Sequence, residues 1–84
     1  MLVDFWAPWC PPCRILGPIV EEFAKETPPD KAIIGKVNVD ENPGLSGTYG
    51  VMSIPTILAF KDGKEIARTV GVQDKAKLKE MLGL

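Results

Sequence analysis

Cys10 and Cys13 are the only cysteines in the chain, and they fall where one hydrophobic period gives way to another. Before them, Leu2, Val3 and Phe5 run like a buried strand. After them, Ile15, Leu16, Ile19 and Val20 recur at helical spacing. Two thiols three positions apart can close a small ring and reopen it by thiol–disulfide exchange. Between a strand and a helix, the first of them lies at a helix N-terminus, where free N–H groups and the macrodipole favour the thiolate. Few other chemistries remain open. The chain has no histidine, and two cysteines alone fall short of the four ligands of a structural zinc site, so no metal is expected. As a staple, a ring this short would remove little entropy from the unfolded chain. The pairing therefore points to reversible redox chemistry.

Size and charge narrow the classes further. Eighty-four residues predict one domain spanning 1–84, near the lower limit for a single hydrophobic core. A formal charge of −1 argues against a nucleic-acid-binding surface. No apolar run approaches the roughly 20 residues needed to cross a bilayer. The N-terminus lacks the basic start and cleavage pattern of a secretory signal, so Leu2–Trp6 reads as structural.

In chain order, strand Leu2–Trp6 is broken by Pro8. Pro11 and Pro12 suit a first helical turn, and the helix is expected over about Pro12–Glu26. Ile15, Leu16, Ile19, Val20, Phe23 and Ala24 form its expected buried face, with Pro18 bending it. Lys31–Asp40 reads as a second strand. Asn42 is a candidate N-cap before Pro43, opening a short helix to about Tyr49. Thr56–Lys61 is a third strand, Asp62-Gly63 a hairpin turn, and Glu65–Val70 a fourth strand ending near Gly71. Asp74 caps a last helix, Lys75–Leu82. The order β-α-β-α-β-β-α predicts an α/β fold with a mixed four-stranded sheet and helices on both faces. It also places the Cys10 loop at the carboxyl end of the first strand.

Four ordered segments, V-D-F-W-A-P-W-C-P-P-C, K-V-N-V-D-E-N-P-G, Y-G-V-M-S-I-P-T and F-K-D-G-K-E, resemble the thioredoxin family over nearly the whole chain. The resemblance implies the thioredoxin-like fold and reduction of protein disulfides. Two departures stand out. Pro11-Pro12 replaces the usual Gly-Pro, as in relatives such as tryparedoxins, and leaves Cys10 only the N–H groups of Cys13 and Arg14 nearby. The strand and helix that normally precede this segment are also absent, which would make Lys31–Asp40 an edge strand, blunted by Lys31 and Lys36.

By this resemblance Cys10 is the attacking thiol, better stabilised and more exposed, and Cys13 the resolving one. Asp4, a carboxylate on an otherwise apolar strand, is costly there without a partner or a task. The family places it beneath the dithiol, where burial raises its pKa and it serves as base for Cys13 through water. Lys36 matches a lysine near that acid, although a solvated strand lysine reads equally well. Pro55 matches a cis-proline facing the dithiol, and Ile54 before it offers backbone for strand-like pairing with substrate. Trp9, Met52, Ile54, Val70 and Gly71 map to an apolar rim, with Trp9 the first contact residue. Trp6, Met52 and Val70 also fit a plain core reading. Pro11, Pro12 and Pro18 are structural at the site, and Arg14 only tunes local charge.

The function expected is a cytoplasmic, monomeric protein-disulfide reductase, recharged by a partner such as thioredoxin reductase and needing no cofactor. Membrane and nucleic acid are not expected partners. The competing readings are a glutaredoxin-like enzyme recycled by glutathione, a redox-inert binding module, and a dimer bridging an iron–sulfur cluster.

Overall fold

A computed structural model describes residues 1–84. The elements run β1 (Leu2–Trp6), α1 (Pro11–Glu26), β2 (Ile34–Asn38), α2 (Pro43–Thr48), β3 (Thr56–Lys61), β4 (Lys64–Val70) and α3 (Lys75–Leu82). The sheet order is β2-β1-β3-β4. β1 pairs parallel to β2, with Asp4 opposite Lys36, and antiparallel to β3. β3 and β4 form an antiparallel hairpin. This is the expected mixed sheet, and β2 is an edge strand.

Alternation along β1 decides which face is which. Leu2 points to the side of α1 and α3, where it joins Leu16, Val20, Phe23, Ile57, Ala59, Leu78 and Met81 in the main core. Burying each of the larger side chains contributes about 1.5–3 kcal/mol, so this cluster carries most of the folding drive. On the opposite face, Val3, Phe5, Val37 and Phe60 meet only the six-residue α2. They line, with Met1, Leu45 and Tyr49, an open cavity of about 500 Å³. Tyr49 packs edge-on against Phe5 and Phe60, with ring centroids 6.3 and 5.5 Å away.

Turn and cap chemistry matches the residues present. Asp62 and Gly63 both have positive φ, 54° and 79°, as a tight hairpin requires. The Asp74 carboxylate accepts from the Lys77 N–H at 2.9 Å, and Gly83 ends α3 in the left-handed conformation.

Several expectations need correction. α1 begins at Pro11, one residue early, because Cys10 itself occupies the N-cap. Ile15 is 60% exposed. The buried stripe of α1 is Cys13, Leu16, Gly17, Val20 and Phe23, and Ile15 lies outside its arc. β2 is only five residues long. Lys31 precedes it in a turn closed by its own N–H to the Pro28 carbonyl, so it does not guard the edge. Asn42 holds the N-cap position of α2 but makes no cap bond; its amide donates to the Asn38 carbonyl instead.

Candidate functional site

β1 ends at Trp6, and the chain turns through Ala7–Trp9 into α1. Cys10 takes an extended conformation as N-cap, and its sulfur accepts from the Cys13 N–H at 3.3 Å. Pro11 and Pro12 fill the first helical positions, where a missing N–H costs nothing. Arg14 does more than tune charge: its Nε donates to the Pro8 carbonyl at 3.1 Å and ties the loop to the first helical turn.

Cys10 and Cys13 form a disulfide, with Cα atoms 5.2 Å apart. The expected difference in exposure is not found. Cys10 is 3% and Cys13 4% exposed, because Ala7, Trp6, Val39 and Ile54 pack around the pair. What distinguishes the two sulfurs is position. Cys10 caps the helix and lies 3.8 Å from the Ile54 carbonyl, whereas Cys13 sits inside the first turn.

The Ile54–Pro55 bond is cis. The Pro55 carbonyl accepts from the Gly71 N–H at 2.9 Å, which ties the chain just past β4 to the cis-proline. The Ile54 N–H donates to no backbone group of the chain. Trp9, Val39, Pro43, Val51, Met52 and Ile54 line a shallow cavity of about 260 Å³ next to Cys10. Trp9 is 62%, Val70 58% and Met52 96% exposed, so these three are surface and not core. The larger cavity shares no residue with this one, and only the smaller is lined by Trp9 and Ile54, which flank Cys10.

Asp4 lies on the α1 side of β1, 1% exposed, and neither carboxylate oxygen has a hydrogen-bond partner. Burial lifts its pKa to about 6, against an opposing pull from Lys36. Lys36 stands 4.9 Å over the Trp6 ring and 3.5 Å from Glu21. Its ammonium is therefore shared between Trp6 and Glu21, and it acts on Asp4 only through its charge. Pro18 lies on the exposed side of α1.

Two contributors escaped the sequence. The Trp9 indole N–H donates to Asp40 at 2.9 Å, fixing the exposed ring beside the disulfide. Asp40 follows β2, and no motif linked it to Trp9. Gly17 is the other. It lies buried in α1, and a Cβ built on it would sit 3.8 Å from the Lys36 ammonium.

The thioredoxin family model matches residues 1–83. The chain is 49% identical over 82 residues to a thioredoxin of Alicyclobacillus acidocaldarius subsp. acidocaldarius, covering 98% of this chain and 77% of that one. It is likewise 49% identical over 82 residues to a thioredoxin of Bacillus subtilis (strain 168), covering 98% and 78%. Among solved structures, an Asn-to-Gln mutant thioredoxin from Halobacterium salinarum NRC-1 superposes with a TM-score of 0.86. That pair is 43% identical over 96% of this chain and 69% of the other.

Proposed function

Because the chain belongs to the thioredoxin family and is a thiol–disulfide oxidoreductase, we propose that Cys10 attacks protein disulfides and Cys13 resolves the product. The observation that carries this assignment is the Cys10 sulfur at the N-cap of α1, accepting the Cys13 N–H. A negative sulfur at that position gains from the same N–H and from the positive end of the helix.

In the reduced protein, the Cys10 thiolate attacks one sulfur of a target disulfide. A mixed disulfide forms and one target thiolate leaves. Cys13 then loses its proton to Asp4 through water, and its thiolate attacks the Cys10 sulfur. That closes the Cys10–Cys13 bond, releases the second target thiolate, and leaves the target reduced by two electrons. The buried, unpartnered Asp4 carboxyl, with a pKa of about 6, is suited to take up that proton near neutral pH. Lys36 limits how far that pKa rises.

The target docks as an extended segment. Its backbone pairs with the free Ile54 N–H, and its side chains lie over Trp9, Met52, Val70 and Gly71. Pro55 holds this backbone against the dithiol, and Pro11 and Pro12 stiffen the loop. Pro18 shapes α1 without touching the target. A recycling reductase such as thioredoxin reductase supplies the two electrons that reopen the ring. The protein works as a single domain and a monomer in the cytoplasm, where such a reductant keeps thiols reduced. A glutathione-linked cycle fits less well, since the rim is apolar and offers no cluster of groups for a small charged tripeptide.

Trapping tests the roles. Cys13→Ser incubated with insulin should accumulate a mixed disulfide through Cys10, seen by mass after alkylation. Cys10→Ser should form none. Adduct formation through Cys13 in the Cys10→Ser protein at a similar rate would reverse the assignment.

A further inference from the structure

Arg68 makes four hydrogen bonds that dithiol exchange does not use. It lies on β4 two residues before Val70 and opposite Leu58, on the sheet face that carries α2. Its Nη2 donates to the Tyr49 carbonyl at 2.6 Å, and its Nη1 to the Gly50 carbonyl at 3.4 Å. Its Nε and Nη2 also fork onto the Glu65 carboxylate at 3.0 and 2.9 Å. Glu65 thus orients the guanidinium, and the guanidinium holds the chain where α2 ends.

That chain needs holding. α2 has six residues, two of them glycine, and makes no side-chain cap bond at its start. So short a helix has little stability of its own. Carbonyls at a helix end lack intrahelical partners and favour a cation. Immediately after come Val51–Ile54, one wall of the groove beside Cys10. Beyond Arg68, this wall is held by the Val51 N–H to the Ser46 carbonyl, and by the Thr56 hydroxyl donating to the Ser53 carbonyl. Trp9, Val39 and Pro43 line the groove's other side, while Arg68's own strand leads on to Gly71, whose N–H holds the Pro55 carbonyl. One side chain therefore ties the chain that leads into the Val51–Ile54 wall to β4.

We propose that Arg68 is a positioning residue for macromolecular substrates: by clamping the end of α2 to β4 it sets the width of the groove that docks a protein disulfide. A small disulfide needs only the Cys10 sulfur and is indifferent to that width. The inference rests on the exchange chemistry proposed above. Arg68 itself touches neither substrate nor sulfur.

The test compares second-order rate constants for reduction of insulin and of hydroxyethyl disulfide by the reduced protein. Arg68→Met should lower the insulin rate about five-fold, the equivalent of about 1 kcal/mol. The hydroxyethyl disulfide rate and the dithiol reduction potential should stay as in the unaltered protein. Arg68→Lys, a point donor in place of a fork, should fall between. Glu65→Gln, which weakens the orienting pair, should shift the ratio the same way as Arg68→Met. Charge steering would instead move those two variants in opposite directions, and that result would overturn the proposal. So would an equal loss on both substrates, or an unchanged ratio. Should Arg68→Met fail to fold, Glu65→Gln carries the test alone, and an unchanged ratio there is equally fatal. An unaltered protein that reduces neither substrate would sink the exchange chemistry itself, a failure distinct from that of Arg68.

Discussion

Asp4 illustrates how one side chain can be retained at a cost to stability. It is 1% exposed, its oxygens have no donors, and its pKa is raised from 3.8 to about 6. The folded state therefore holds its proton more tightly than the unfolded state does. As pH climbs from about 4 to about 6, the folded form loses stability relative to the unfolded one, and above that range the penalty is constant. Two pKa units at about 1.4 kcal/mol each put the penalty near 3 kcal/mol at pH 7. Asp4→Asn should raise the melting temperature at pH 7 and have little effect at pH 4, as measured by calorimetry. The same variant should slow resolution of a trapped mixed disulfide at neutral pH. A Tm gain of equal size at both pH values would contradict the burial account. Asp4 was legible in the sequence because a carboxylate on an apolar strand is anomalous. Asp40 was not, because its bond to Trp9 joins residues 31 positions apart and follows no local pattern.

Among the elements, α3 shows best how local chemistry sets boundaries. Asp74 at its start and Gly83 at its end both satisfy groups the helix leaves open. Asp74→Ala removes the bond to the Lys77 N–H and should cost about 1 kcal/mol. In a domain of this size that is a fall of roughly 4–8 °C in melting temperature. An unchanged Tm would show that the cap is replaced by water. These limits, the hairpin at Asp62-Gly63 and the order of elements could all be read from the chain, since each depends on neighbours in sequence. The ends of β2 could not. Apolar residues run on either side of it, and the strand stops where β1 stops offering partners, at Trp6 opposite Asn38. Ile15 failed for a similar reason: periodicity identifies a helix, but its neighbours decide how wide the buried arc becomes. The dithiol site was legible as a motif, yet its burial was not, because Val39 and Ile54 arrive from distant segments.

Taken as a whole, the molecule buries one main cluster between the sheet and the α1–α3 pair and leaves the other sheet face half-covered. A chain this long has a total stability of about 4–13 kcal/mol. Leu78 is fully buried where α3 meets the sheet. Leu78→Ala should cost about 3 kcal/mol through lost burial and the cavity left behind. The urea midpoint should fall in proportion at an unchanged slope. A shift below a third of that would mean that the core closes over the gap. The absence of histidine gives the Asp4 carboxyl one further consequence. Glu22 and Glu65 have lowered pKa values, so each takes up protons when the chain unfolds in acid. Asp4 does the opposite. Between about pH 5 and 6 its release outweighs their uptake. Heat-driven unfolding there should acidify the medium, and calorimetry in acetate and in a zwitterionic amine buffer should register that release as a difference in apparent enthalpy.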